Sequence, residues 1–251
     1  MTGAEIGVFA VAVPAVVFAG VSKGGFGSGA AFASATILAL VVPPGQALGI
    51  MLPLLMAIDL ATLRPYWRRW SWPDERLLVL GSLPGVAVGA AFYRVAEPDH
   101  FRLLIGGISL AFVIWQLGAR ARLFRPPHGG LSTGAGMVAG LVAGFTSFVS
   151  HAGGPPAAVY LLSRGLDKTR FQATTVLIFW LINIAKFVPY SFLGIFTVET
   201  LMLDFLLLPF ALLGAWLGVI AHRLVPERVF FAVTYALLTV TGIRLIIDGL
   251  S

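Results

Sequence analysis

The sequence predicts an all-α integral membrane protein. It is expected to hold two homologous, inverted repeats, each a broken or re-entrant helical segment followed by three transmembrane helices. Three observations lead there. Apolar residues fill 58% of 251 positions and charged residues only 11%, against roughly a quarter charged in soluble domains. Apolar runs long enough to span a bilayer, about 20 residues each, recur along the whole chain, as at Leu201–Val219. The second half of the chain also echoes the first.

A chain this apolar has too little polar surface to cover a soluble core, so no soluble domain is expected beside the membrane segments. The formal net charge is +6, but the basic residues sit in short loops between apolar runs. That is how membrane proteins fix orientation, so nucleic acid is not an expected partner; the lipid bilayer is. With no cysteine, neither a disulfide framework nor a thiolate metal site is available. No cofactor and no metal are expected. Only Glu5 precedes the first apolar run, and no basic n-region marks a cleaved signal. The expected location is the cell (inner) membrane, multi-pass, with a homodimer possible.

The echo has an offset of 124 residues. "DLATLRPY" (Asp59–Tyr66) falls on "NIAKFVPY" (Asn183–Tyr190), Ala19-Gly20 on Ala143-Gly144, and Glu75 on Glu199. One residue further, Pro84 meets Pro209 and Gly89-Ala90 meets Gly214-Ala215. The expected units are residues 1–119 and 129–251, joined by the basic, Pro/Gly-rich turn Arg120–Gly130.

The elements follow in order. A broken stretch at 6–42 is interrupted at "SKGGFGSG" (Ser22–Gly29), and spans follow near 47–63, 76–95 and 102–118. A second broken stretch at 131–162 is interrupted at "SHAGGPP" (Ser150–Pro156), and spans follow near 172–189, 200–221 and 229–247. Loop charges discriminate between two topologies. If both broken stretches cross, seven basic loop residues face each side. If both return, only Arg94 and Arg102 stand on one face and twelve share the other. The positive-inside rule prefers the second arrangement. It places both termini outside and inverts the repeats, as in many secondary transporters.

Backbone can break inside a membrane only where protein or a watery cavity satisfies it. Two matching breaks therefore point to a site near the midplane. The candidate binding residues are Ser22, Lys23, Gly25, Gly27, Ser28, Gly29 and Ala30 at the first break. At the second they are Thr146, Ser147, Ser150, His151, Gly153, Gly154 and Pro155. Helix N-termini opening there would offer free N–H groups and partial positive charge to an anion. The competing reading is that the glycines only let helices pack closely. The rows Gly81, Gly85, Gly89 and Gly136, Gly140, Gly144 are expected to do that alone.

Lys23, Asp59 and Lys186 lie in apolar stretches, where charge is costly and function is the default reading. Asp59, Asn183 and Lys186 form a candidate charge or coupling group. Asp59 and Lys186 are expected to neutralise one another, leaving Lys23 as the full charge for an anion. A simple structural pairing, or snorkelling to the interface, is the alternative. His151 either relays a proton or hydrogen-bonds the broken backbone. Asp204 is expected at the interface, and Tyr66, Trp67, Trp70 and Trp72 in an aromatic belt.

At these residues the chain resembles the TauE/SafE sulfite-exporter family of membrane permeases. The resemblance is carried by "GVSKGGFGSGAAFASATILAL" (Gly20–Leu40) and "GFTSFVSHAGGPPAAVYLLSRGLDKTRFQAT" (Gly144–Thr174), and covers nearly the whole chain. Two departures stand out: Ala30 and Ala31 follow Gly29 where glycines are usual, and His151 stands where a small residue is common. The resemblance implies permeation of a small anionic sulfur compound such as sulfite or an organosulfonate (sulfoacetate-like). A membrane-embedded hydrolase using Ser28 and His151, or a passive anion channel, are the rival readings.

Overall fold

The computed structural model of the chain describes residues 3–26, 30–121, 123, 130–224 and 226–251. Gly27, Ser28 and Gly29 of the first break, and most of the linker, lie outside the described residues. Among those described the chain is helical, without strands. The α-helices are α1 (Gly3–Val21), α2 (Ala33–Leu38), α3 (Pro44–Leu63), α4 (Trp72–Val95), α5 (Pro98–Arg120), α6 (Thr133–Ser150), α7 (Gly154–Ser163), α8 (Lys168–Phe192), α9 (Val198–Leu224) and α10 (Glu227–Leu250). Eight helical stretches are long and apolar enough to cross a membrane. Only α2 and α7, the second arms of the two broken stretches, are too short.

Most spans start about a turn earlier than the hydropathy pattern predicts. Apolar periodicity locates the hydrocarbon-facing middle, whereas the first turns hold caps and charges. Proline occupies the first turn of α3, α4, α5 and α7, where its missing N–H has no helical partner anyway. Ser132 caps α6 by accepting from Ala135 N at 3.2 Å, and Asp167 caps α8 by accepting from Arg170 N at 3.0 Å. The outward faces carry Phe205, Ile114 and Val240, each more than two-thirds exposed, as a lipid-facing surface requires.

Contacts fix the helix directions. Lys23, just past α1, reaches Asp59 near the end of α3, so α1 and α3 run the same way. Tyr190 and Lys186 near the end of α8 reach Phe148 and Ser147 near the end of α6, so α6 and α8 also run alike. Each broken stretch therefore returns to the side on which it began. The first arms are not the half-spans of a shallow hairpin. The Gly7–Phe26 stretch has 20 residues and α6 has 18; the returning arms, α2 with 6 residues and α7 with 10, are the short ones.

Small residues set the closest packing. Gly20, Gly24 and Gly25 lie against α9 backbone from Ala211 to Gly218, while Gly81 and Gly85 lie against α6 backbone at Met137–Phe145. Residue numbers rise together along both pairs, so α1 is parallel to α9 and α4 to α6. Gly106 meets Gly242 while Gly249 meets Asp99 and Leu103, so α5 and α10 are antiparallel. So are α3 and α8, where Asp59 meets Asn183 and Gly49 meets Ile195. Thus α1, α3 and α9 run one way through the bundle, and α4, α6 and α8 run the other.

Candidate functional site

Polar groups buried among the membrane helices converge on α3, α8 and the two breaks. The first break opens not as a loop but as a π-helical turn, Ser22–Phe26. Such turns shift the register of the following side chains and recur at functional sites. The turn carries Lys23 onto α3, where its Nζ lies 2.5 Å from Asp59 Oδ1. The other carboxylate oxygen, Oδ2, accepts from Asn183 Nδ2 at 2.8 Å. Asp59 is fully buried and Lys23 nearly so. Both oxygens of the one acidic side chain here are therefore committed.

Lys186 was expected to share that carboxylate, and it does not. Lying one turn past Asn183, it reaches the end of α6 instead. Its Nζ donates to Ser147 O at 3.0 Å and sits 2.9 Å from His151 Nδ1. The ammonium is fully buried, and both its partners are neutral. The carbonyls that end α6 turn partial negative charge toward it, and the Asp59 carboxylate attracts it at longer range without a hydrogen bond.

His151 is held by its own backbone. It ends α6 in the left-handed conformation, φ 57°, which histidine tolerates better than β-branched residues. Its N–H returns to Ser147 O at 2.9 Å, and Ala152 N to Thr146 O at 3.2 Å. The ring's Nε2 lies 3.2 Å from Leu48 O. A carbonyl can only accept, so the proton sits on Nε2, and Nδ1 accepts from Lys186. That tautomer is assigned from the hydrogen bonds.

The remaining candidates divide between packing and binding. Ser22, Ala30, Ser147, Ser150 and Gly154 are buried. Gly25 is pressed against Gly218, and Gly153 against Ala143 O and Phe179; close approach is what these two glycines provide. Thr146 and Ser150 turn their hydroxyls onto α6 carbonyls, at Val142 O (2.8 Å) and Thr146 O (2.9 Å). Pro155 starts α7, as Pro does at a helix N-terminus. Phe32, just past the first break, and Ala152 of the second belong to one apolar cluster, which also holds Phe112 and Tyr235. Asp204, near the start of α9, is buried within the protein, and neither of its carboxylate oxygens has a partner among the described residues.

The profile of the family described as Sulfite exporter TauE/SafE matches residues 12–245, nearly the entire chain. The chain belongs to the TauE/SafE family. No curated protein and no solved structure matches it. As a TauE/SafE member it is a multi-pass membrane protein of a family of sulfur-anion transporters, as its apolar helices also indicate.

Sequence reading missed three groups in this TauE/SafE chain. Gln172 Nε2 donates to Lys23 O at 3.3 Å, holding the π turn to α8. Tyr190 OH donates to Phe148 O at 2.6 Å, closing the end of α6. Asp74 accepts from Ser71 Oγ, Tyr160 OH and Arg164 Nε at 2.6, 3.2 and 2.9 Å, tying the start of α4 to the end of α7. Gln172 and Asp74 stand near span ends with no motif around them. Only the Pro-Tyr match at Tyr190 had singled out any of the three.

Two clefts flank the buried polar groups. One, about 380 Å³, is lined by Gly24, Ala61, Thr62 and Pro65 with Leu212 and Ala215 of α9. The other, about 530 Å³, is lined by Ala185, Pro189, Ala87 and Ala90, and ends at Arg94. Because α3 and α8 are antiparallel, the clefts lie toward opposite ends of the bundle.

Proposed function

We propose that this chain is a secondary transporter that passes a small sulfur-containing anion, sulfite or an organosulfonate of the sulfoacetate type, between its two broken helices. The anion would pause beside Lys186 and His151. The observation that carries this is the full burial of Lys186 with no carboxylate in hydrogen-bond contact among the described residues. A buried charge normally has a charged partner or a ligand, and here Asp59 is taken by Lys23 and Asn183. Two lysines against one aspartate leave one positive charge, and an oxyanion would supply the missing negative one.

We also read residues 1–119 and 129–251 as two inverted copies. Supporting this, Asp59 and Asn183, 124 residues apart, hydrogen-bond to each other, as residues on a twofold axis should. The reciprocal pairs, α1 on α9 and α6 on α4, fit the same axis. So do the clefts: the linings 61, 65, 212 and 215 correspond to 185, 189, 87 and 90 at offsets of 124 and 125. Each cleft would give access from one face, the geometry that alternating access needs.

Direction follows from the anion's charge. With the inside negative, a charge crossing 100 mV is worth about 2.3 kcal/mol, so export runs downhill without a coupling ion. The hydrolase reading gains no support, because both ring nitrogens of His151 are engaged by Lys186 and Leu48 O. A flux assay tests the proposal: purified chain in proteoliposomes, loaded with sulfite, thiosulfate, sulfoacetate or taurine. Efflux of sulfite or sulfoacetate above that from protein-free vesicles is expected, and efflux of none of the four would refute it.

A further inference from the structure

We infer that the end of the α5/α10 pair bearing Arg120 and Arg228 is a second anion site, shaped for a tetrahedral oxyanion and separate from Lys186. A cleft of about 520 Å³ opens there between Gln116, Arg120, Arg228, Phe231 and Tyr235. Its floor is aromatic: the Arg120 guanidinium lies 5.1 Å from the Tyr235 ring centre and 5.9 Å from that of Phe231. Stacking holds a guanidinium by its face and leaves its edge N–H groups free for a bidentate acceptor.

Two further observations single this end out. The first is an asymmetry within one helix pair. At the opposite end of α5 and α10, Arg102 pairs with Asp99 and Arg244 with Asp248. Arg120 and Arg228 have no carboxylate partner among the described residues. The same two helices thus carry neutralised arginines at one end and unneutralised ones at the other. The second concerns the helix dipole. Arg228 lies in the first turn of α10, the positive end, where a cation is disfavoured and backbone N–H groups lack helical acceptors. An oxyanion satisfies the arginines and the dipole together.

Two sources supply that chemistry: the phosphate of an anionic lipid headgroup, or a free oxyanion from solution. The test has one arm for each, using the purified full chain, its Arg120→Gln/Arg228→Gln variant and its Arg102→Gln/Arg244→Gln variant. In the first arm, inorganic phosphate and sulfite are titrated calorimetrically into chain held in phosphatidylcholine nanodiscs. In the second, native mass spectrometry counts phosphatidylglycerol retained against phosphatidylcholine. The 120/228 variant should lose at least about fivefold in one arm, the scale of an exposed charge pair, while the 102/244 variant loses nothing. Loss with phosphate identifies a free oxyanion; loss with phosphatidylglycerol identifies the headgroup. Equal loss in both variants, or loss in neither arm, overturns the site. Abolition of all oxyanion binding by Lys186→Ala alone, with lipid retention unchanged in the 120/228 variant, also overturns it while leaving the transport reading intact. Should the 120/228 variant fail to fold, Arg120→Lys/Arg228→Lys keeps the charge but loses the fork, and should retain part of the affinity.

Discussion

Lys186 Nζ lies 2.9 Å from His151 Nδ1, and among the described residues that fully buried ammonium has no carboxylate partner. The second break and the third helix of its own half are thereby joined through a positive charge. Nothing in the spacing of the sequence distinguishes this arrangement from the alternative, in which Asp59 neutralises Lys186 and leaves Lys23 free. The π turn decides between them, because it swings Lys23 onto Asp59.

The Lys23–Asp59 pair should behave as a unit. Removing one partner of a buried pair leaves the other charge uncompensated and costs about 3–5 kcal/mol, whereas removing both is often close to neutral. Lys23→Met should therefore lower the thermal unfolding midpoint sharply, and Lys23→Met/Asp59→Asn should recover most of it. Equal midpoints in the single and double variants would show the pair to be uncoupled.

His151 is constrained by its backbone as well as its ring. At φ 57°, glycine is relaxed and a β-branched residue strained by about 1–3 kcal/mol. His151→Val should thus be less stable than His151→Gly, although both lose the ring's hydrogen bonds. Equal melting temperatures for the two would contradict the left-handed turn.

Asp204 is buried with both carboxylate oxygens unpartnered among the described residues. An unpaired polar group removed from water costs about 1–3 kcal/mol. Asp204→Leu should raise the unfolding midpoint in detergent. A fall would mean that the carboxylate has a stabilising partner or ion.

Much of the fold was legible in the sequence. Hydropathy gave the helical class, and the matched blocks at Asp59 and Asn183 brought those two residues opposite each other, as they are found. The site was less legible for two reasons. Partner choice among Lys23, Lys186 and Asp59 depends on a π turn, which has no sequence signature in a run such as SKGGF. The glycines at 25 and 153 suggested an anion cradle, yet both are pressed against neighbouring helices. Sequence alone cannot tell a glycine that admits a ligand from one that admits a helix.

Topology is testable in this cysteine-free chain. Cysteines introduced singly at Arg68 and Lys168 should label from one face, the cytoplasmic one on the charge bias. A cysteine at Glu97 should label from the other. Labelling of 68 and 168 from opposite faces would contradict the returning broken helices.

Sulfite binding to the purified chain, compared among wild type, Lys186→Ala and Lys23→Ala/Asp59→Asn, tests the central claim most directly. A hydrogen bond to a charged group contributes about 1.5–3 kcal/mol, so Lys186→Ala should weaken binding at least about tenfold. The double variant, which removes a pair already neutralised, should bind within about threefold of wild type on the same reasoning. Unchanged affinity in Lys186→Ala, with a large loss in the double variant, would move the anion to Lys23 and contradict the account.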